Sequence, residues 1–297
     1  MMQRIVLIIC SILLSQTAHA QSLEELERSL DSLLGLRDKS QFVVGISYGN
    51  NPAYADGKMN YARSLVQKPF LSPSISYYHK SGLYANASTY YMFGATKNPW
   101  FEHDLGIGYD YNKHPNFIAG ISYNHYFYAD SSDVPLTPIK NELYAYFSYR
   151  KWWLEPGINI DFGWGKESAQ YKRVTYTNSG RDFNLNLDVR HSFLWIDVLN
   201  RNDGLMILPV ASLTFGTTNY LTNLRGTMPL GNKHTKPQEI NYIDRLSFGP
   251  RFADLGVRVA YNYKFVTISP AYTVFKPLQG DDRSMLGYFS ATMKFGF

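Results

Sequence analysis

The chain has 297 residues and a formal net charge of +5, from 29 basic and 24 acidic side chains. That near balance excludes the strongly basic surface of a nucleic-acid-binding protein, and 45% hydrophobic residues give no sign of a helical membrane protein. Aromatic residues reach 16%, with 24 Tyr and 18 Phe, and these favour pleated, half-buried surfaces.

Residues 1–20 read as a secretory signal peptide. Arg4 supplies the positive start, residues 5–14 the apolar core, and Ala18-His19-Ala20 an A-x-A cleavage site, so the mature chain is expected to begin at Gln21. The apolar run is too short for a membrane anchor, which needs about 20 residues. Cys10, the only cysteine, lies in the segment to be removed, which leaves the mature chain without disulfide or thiol chemistry.

Residues 21–39 form the next unit. Ser22 and Glu25 make a capping box, and Leu23, Leu26, Leu30, Leu33 and Leu34 share one helical face before Gly35. The spacing predicts an amphipathic helix over 22–36. It either packs on its own domain or docks a partner through its narrow apolar stripe.

From residue 40 to 297 the period is two. In residues 101–111, Phe101, His103, Leu105, Ile107, Tyr109 and Tyr111 point one way, while Glu102, Asp104, Gly106, Gly108 and Asp110 point the other. In residues 152–164, Trp152, Leu154, Pro156, Ile158, Ile160, Phe162 and Trp164 oppose Trp153, Glu155, Gly157, Asn159, Asp161 and Gly163. Similar alternation over 42–49, 70–80, 82–93, 115–128, 139–150, 182–197, 205–216, 252–263, 265–275 and 284–297 gives twelve strands in all. Their lengths suit the 9–11 residues that cross a bilayer at a tilt of about 45°. The tryptophans at 152 and 164 would stand about 30 Å apart along the normal at about 3.3 Å per residue. Tyr48, Tyr91, Phe101, Tyr109, Phe127, Tyr149, Trp195, Tyr261 and Phe295 fit aromatic girdles near the strand ends.

The links alternate in length. Those at 50–69, 94–100, 129–138, 165–181, 217–251 and 276–283 are long, and those at Ser81, 112–114, 150–151, 198–204 and 263–264 are short. Short turns on one side and long loops on the other describe a transmembrane antiparallel up-and-down β-barrel with periplasmic short turns. An even strand count puts both termini and the 22–36 helix on that periplasmic side. A soluble β-sandwich would hide its apolar face. Here the face opposite the apolar one carries Glu102, Asp104, Asp110, Glu142, Glu155, Asp161, Asp182, Asp188 and Asp254, with Lys140, Arg150, Arg190, Arg258, Lys264 and Lys294. Such a set cannot fill a dry core and suits a wet lumen.

With its signal, twelve strands and last strand, the sequence resembles bacterial outer-membrane β-barrel proteins, and its Tyr-rich strands are similar to Bacteroidota barrels. Tyr288, Phe289, Ala291, Met293, Phe295 and Phe297 look like the terminal signal read by the outer-membrane assembly machinery. The resemblance implies a Gram-negative outer-membrane location. It names no activity, because one architecture hosts porins, enzymes, adhesins and assembly partners.

Three functions are compatible with these residues. The first is a pore or transporter for small polar solutes, lined by the charged set above. The rings of Tyr78, Tyr84, Tyr90, Trp100, Tyr126, Tyr128, Tyr144, Tyr146, Trp153 and Tyr288 on the same face would narrow or fill it. The second is a non-enzymatic subunit of an envelope assembly, with residues 22–36 contacting the partner. The third is a lipid hydrolase using His79 and Ser81, although this pair falls on a periplasmic turn. Basic residues in 217–251 (Arg225, Lys233, His234, Lys236, Arg245 and Arg251) and in 50–69 (Lys58, Arg63 and Lys68) offer charge to lipopolysaccharide phosphates or to another protein. No cofactor, metal or nucleic acid is expected, since the histidines are scattered.

Overall fold

The computed structural model describes residues 39–50, 52–54, 65–129, 139–171, 174–217, 248–278 and 284–297. The signal, the 22–36 helix and most of the two basic loops lie outside the described residues. Along the chain the strands are β1 Gln41–Gly49, β2 Pro52–Tyr54, β3 Leu65–Gln67, β4 Phe70–Tyr78, β5 Leu83–Met92, β6 Trp100–Tyr111, β7 Phe117–Tyr128 and β8 Asn141–Tyr149. They continue as β9 Glu155–Tyr171, β10 Val174–Arg190, β11 Phe193–Ile196, β12 Asp203–Gly216, β13 Gly249–Tyr263, β14 Val266–Pro277 and β15 Leu286–Gly296. The short β2 and β3 pair only with each other.

Twelve strands close a ring of antiparallel neighbours in the order β1, β4–β10, β12–β15. The seam lies between β1 and β15, from Val43↔Gly296 to Gly49↔Ser290. A closed ring leaves no unpaired strand edge. The pairing is strongly staggered. Partners followed once round run from Asp203 through Tyr263, Val266, Phe295, Val44, Ile75, Ala87, Leu105, His125, Asn141 and Trp164 to Arg181. The line leaves the foot of β12 and returns well up β10, so the strands tilt steeply, as closure of a sheet requires. Gln41, Phe297 and the turns at 79–82, 112–116, 150–154, 197–202 and 264–265 share one rim.

Four features differ from the strand pattern expected over 70–197. The strand expected over 182–197 breaks at His191-Ser192, yet both parts lie on one register against β12: Arg190↔Val210 continues as Phe193↔Ile207. β11 is therefore the extension of β10 past the start of β9. The expected loop 165–181 is a paired hairpin, with Gly165↔Gly180 continuing to Tyr171↔Val174. Trp152 and Trp153 lie on the turn before β9, where the Trp153 ring stacks on His191 with centroids 4.6 Å apart, so Trp153 does not line the lumen. Finally, a bulge between Tyr90 and Tyr91 pairs Tyr90 with Glu102 and Tyr91 with Trp100. The extra residue reverses the expected facing at the head of β6. Trp100 packs outside against Tyr91, and Phe101 packs against the inward Tyr90.

The strands carry polar side chains inward and apolar ones outward. On β6, Leu105 and Ile107 are 51% and 60% exposed, whereas Glu102 and Asp104 are buried. Among the described residues the buried apolar side chains are Met92, Phe275 and Pro277, while the buried polar ones include Glu155, Asp182, Asn184, Thr214 and Arg251. Inward glycines make room for larger neighbours. A methyl group at Gly108 would meet the Tyr84 ring at 2.5 Å, and one at Gly157 would meet the Asp188 carboxylate at 2.5 Å.

Candidate functional site

The lumen wall from β8 to β13 is joined by side-chain hydrogen bonds. The Tyr144 hydroxyl on β8 donates to Asn159 Oδ1 on β9 at 3.0 Å. Asn159 Nδ2 donates to Asn186 Oδ1 at 3.0 Å and to Asp188 Oδ1 at 2.9 Å, both on β10. Asn186 Nδ2 donates to Ser212 Oγ at 3.0 Å and Thr214 Oγ1 at 2.7 Å on β12. Ser212 Oγ donates to Asp254 Oδ2 on β13 at 2.6 Å. The ladder forms because alternate residues of adjacent strands meet on one face.

A second branch lies one step towards the long-loop end. Asn184 Nδ2 reaches both Asp161 oxygens at 3.2 Å and Asp182 Oδ2 at 3.3 Å. Thr217 Oγ1 donates to Asp182 Oδ1 at 3.0 Å. Glu142 and Asp182 both lie opposite Gly163, one on either side of it, so the bare glycine separates two carboxylates. Between the branches is a cavity of about 240 Å³ lined by Tyr144, Asn159, Asp161, Asn184, Asn186, Thr214 and Phe252.

The ten charged residues singled out in the sequence take distinct places. Asp110 accepts from the Tyr146 hydroxyl at 2.9 Å across β7. Asp104 accepts from Ser88 at 3.4 Å, and Glu142 receives Asn124 Nδ2 at 3.5 Å. Arg190 pairs with Glu155 at 3.4 Å, and Arg150 approaches the same oxygen at 4.0 Å. Asp161, Asp188 and Asp254 belong to the wall network described above. Arg258 and Lys294 stand on the inner face of β13 and β15 but are exposed to solvent. In the ring, β13 lies six strands from β6 and β15 six from β8. The strand of Arg258 is therefore opposite the strand of Glu102 and Asp104, and the strand of Lys294 opposite that of Glu142.

Lys264, expected in the lumen, is on a rim turn with its ammonium 5.1 Å from the Tyr263 ring. Arg251, expected in a surface loop, is the third residue of β13, with 2% exposure, and donates through Nε to Gly216 O at 2.7 Å. The asparagines 159, 184 and 186 had not been singled out. Their signal was the alternation Asn184-Leu185-Asn186-Leu187-Asp188 on a polar face. His79 Nδ1 and Ser81 Oγ are 2.8 Å apart on an exposed rim turn. The Ser81 amide also donates to the same nitrogen, at 3.2 Å, so the pair reads as a turn motif.

No protein-family model matches the chain, and no curated protein matches it. Solved structures do. The NanC porin aligns over 85% of this chain and 98% of its own, at 10% identity and a TM-score of 0.44. The KdgM porin aligns over 85% and 99%, at 10% identity and a TM-score of 0.41. LpxR from Salmonella typhimurium aligns over 85% and 99%, at 9% identity and a TM-score of 0.41. Likeness this loose carries neither an activity nor a solute across to this chain.

Proposed function

We propose that this chain is a Gram-negative outer-membrane β-barrel that passes small polar solutes through its lumen. The observation that carries the reading is the inverted distribution of side chains: an apolar exposed face around a closed ring, and buried carboxylates, amides and Arg251 within. In water that apolar belt would be unfavourable by about 25 cal/mol for each Å². In a bilayer it is the solvated face, and the closed ring satisfies the strand backbone. The exposure of the inward Arg258 and Lys294 supports a wet lumen. These bases and the carboxylates on the opposite wall would orient a dipolar solute in passage.

On this reading the short-turn rim is periplasmic. The basic loops would meet lipopolysaccharide phosphates. Tyr288, Phe289, Phe295 and Phe297 would be read by the assembly machinery. Reconstitution of the purified protein in planar bilayers tests the pore: stepwise conductance is expected, and its absence at every voltage overturns the reading.

The second reading, a barrel serving an envelope assembly, is favoured by the exposed apolar side chains on the short-turn rim, Trp152, Trp153 and Leu199. A stoichiometric partner that copurifies and is lost on deleting residues 22–36 would select it.

A further inference from the structure

The cavity in the lumen wall has a marked imbalance of hydrogen-bonding groups. Its lining contains three asparagines, which together hold six amide hydrogens. All of them are committed to the wall. Asn159 donates to Asn186 and Asp188, Asn184 to Asp161 and Asp182, and Asn186 to Ser212 and Thr214. The Tyr144 hydroxyl hydrogen is spent on Asn159. The hydroxyl hydrogen of Thr214 is the one uncommitted donor of the lining, on a side chain that is itself buried.

What faces the cavity is therefore acceptor surface. A carboxylate offers about four lone-pair positions, and Asp161 receives only the fork from Asn184. The ion pairs of nearby Arg190 and of Arg150 run to Glu155, away from Asp161. Two aromatic side chains, Tyr144 and Phe252, complete the wall, and aromatic faces attract desolvated cations. An anion would find only the Thr214 hydroxyl as a donor there. A neutral polyol would find many acceptors but only that one donor for its own oxygens.

We infer that this cavity binds a small organic cation rich in N–H donors, of the polyamine or guanidinium type, with Asp161 as its counter-ion. The inference rests on the pore reading only for how the solute reaches the wall. At about 240 Å³ the space holds one such group and excludes a folded peptide.

Calorimetric titration of the refolded barrel in detergent with spermidine, glucose and sodium citrate tests it. Spermidine is expected to bind, and glucose and citrate are not. Asp161→Asn should weaken spermidine at least tenfold, and Phe252→Leu, which leaves the ladder intact, about threefold. Folding of each variant is checked by its heat-dependent shift in gel mobility. If Asp161→Asn does not fold, the Phe252→Leu ratio and the three-solute comparison on the wild type decide. Equal binding of citrate or glucose, no spermidine binding by the folded wild type, or unchanged affinity in a folded variant each overturns the inference. Conductance of the same preparation separates the two ideas. A barrel that conducts without binding spermidine removes this inference alone, and one that binds without conducting removes the pore reading alone.

Discussion

Phe42 and Phe297 exchange two backbone hydrogen bonds, from the Phe42 amide to the Phe297 carbonyl at 3.1 Å and back at 2.8 Å. They lock the foot of the seam between β1 and β15. The Phe297 ring takes little part: it is 72% exposed, and its neighbour Phe265 stacks with centroids 6.2 Å apart. Phe297→Ala should therefore cost the refolded barrel about 1 kcal/mol or less. Deleting Gly296 and Phe297 also removes the bond from the Gly296 amide to Phe265 O, 2.8 Å long. That loss should approach about 3 kcal/mol, at about 1 kcal/mol for each of three bonds. Denaturant titration of both proteins measures the difference. Equal losses would mean that the ring, and not the seam, supplies the stability. If Phe297 is also an assembly signal, Phe297→Ala lowers insertion in cells while refolding is nearly unchanged.

The exposed belt makes a prediction that separates a membrane barrel from a soluble one. Leu105 is at the middle of β6, outward and half exposed. In lipid, Leu105→Arg should destabilise by about 2–4 kcal/mol, the cost of a charge near the bilayer midplane. In water the same change at an exposed site should stay within about 0.5 kcal/mol. Unfolding titrations in vesicles give the answer, and a change near zero there would place this face in water.

Gly82 closes the turn between β4 and β5 at φ +100°, a conformation that favours glycine. Its amide donates to His79 O at 2.9 Å, and its carbonyl accepts from the Asp110 amide at 2.9 Å. A methyl group there would collide with the backbone carbonyl oxygen of Asp110, which cannot rotate away. Gly82→Ala should cost about 1–3 kcal/mol. Gly94→Ala is the control, since Gly94 has φ +68° but open space around it, so only backbone strain of about 1 kcal/mol remains. Thermal or denaturant unfolding should rank the two variants in that order; the reverse order would show that contact with Asp110 is not what limits the turn.

The strand count was legible because period-two alternation is a local property of the chain, and the closure of residues 42–49 on the last strand follows from an even ring. The facing of Trp100 and Phe101 was not legible. A bulge depends on which residues the neighbouring strand offers, and Tyr90 and Tyr91 set it from another strand. Arg251 was read as part of a loop because Gly249 and Pro250 look like turn residues, yet both lie in β13. The 165–181 hairpin was hidden for a related reason: Lys166 to Gln170 are polar except for Ala169 and show no alternation. The wall ladder lay furthest out of reach. Asn159, Asn186 and Ser212 meet only through the registers of β9, β10 and β12, and sequence spacing carries no register. The parity of each asparagine was visible, but its partner was not.

Asp203 supplies a prediction in pH. Its side chain is wholly covered on the short-turn rim, below the apolar belt. It accepts from the amides of Val198, Leu199 and Asn200 at 2.7, 2.9 and 2.7 Å and from the Tyr261 hydroxyl at 2.8 Å. Burial pushes its carboxyl up, but the Asn200 amide, the Tyr261 hydroxyl and the other two amides outweigh it and hold the group below its ordinary value of 3.8. A carboxylate whose native value is depressed adds stability that is fully present above the unfolded value and fades as pH falls through the native one. Asp203→Asn keeps one acceptor oxygen but loses the charge. The wild type should therefore exceed the variant in unfolding midpoint by a constant margin from neutral pH down to about 4, near the ordinary carboxylate value, and the margin should close as the pH falls further. Taking the difference cancels the titration of the other carboxylates. A margin that is absent at neutral pH, or that persists to pH about 1, where even strongly stabilised carboxylates protonate, would mean that the turn is held by something other than this charge.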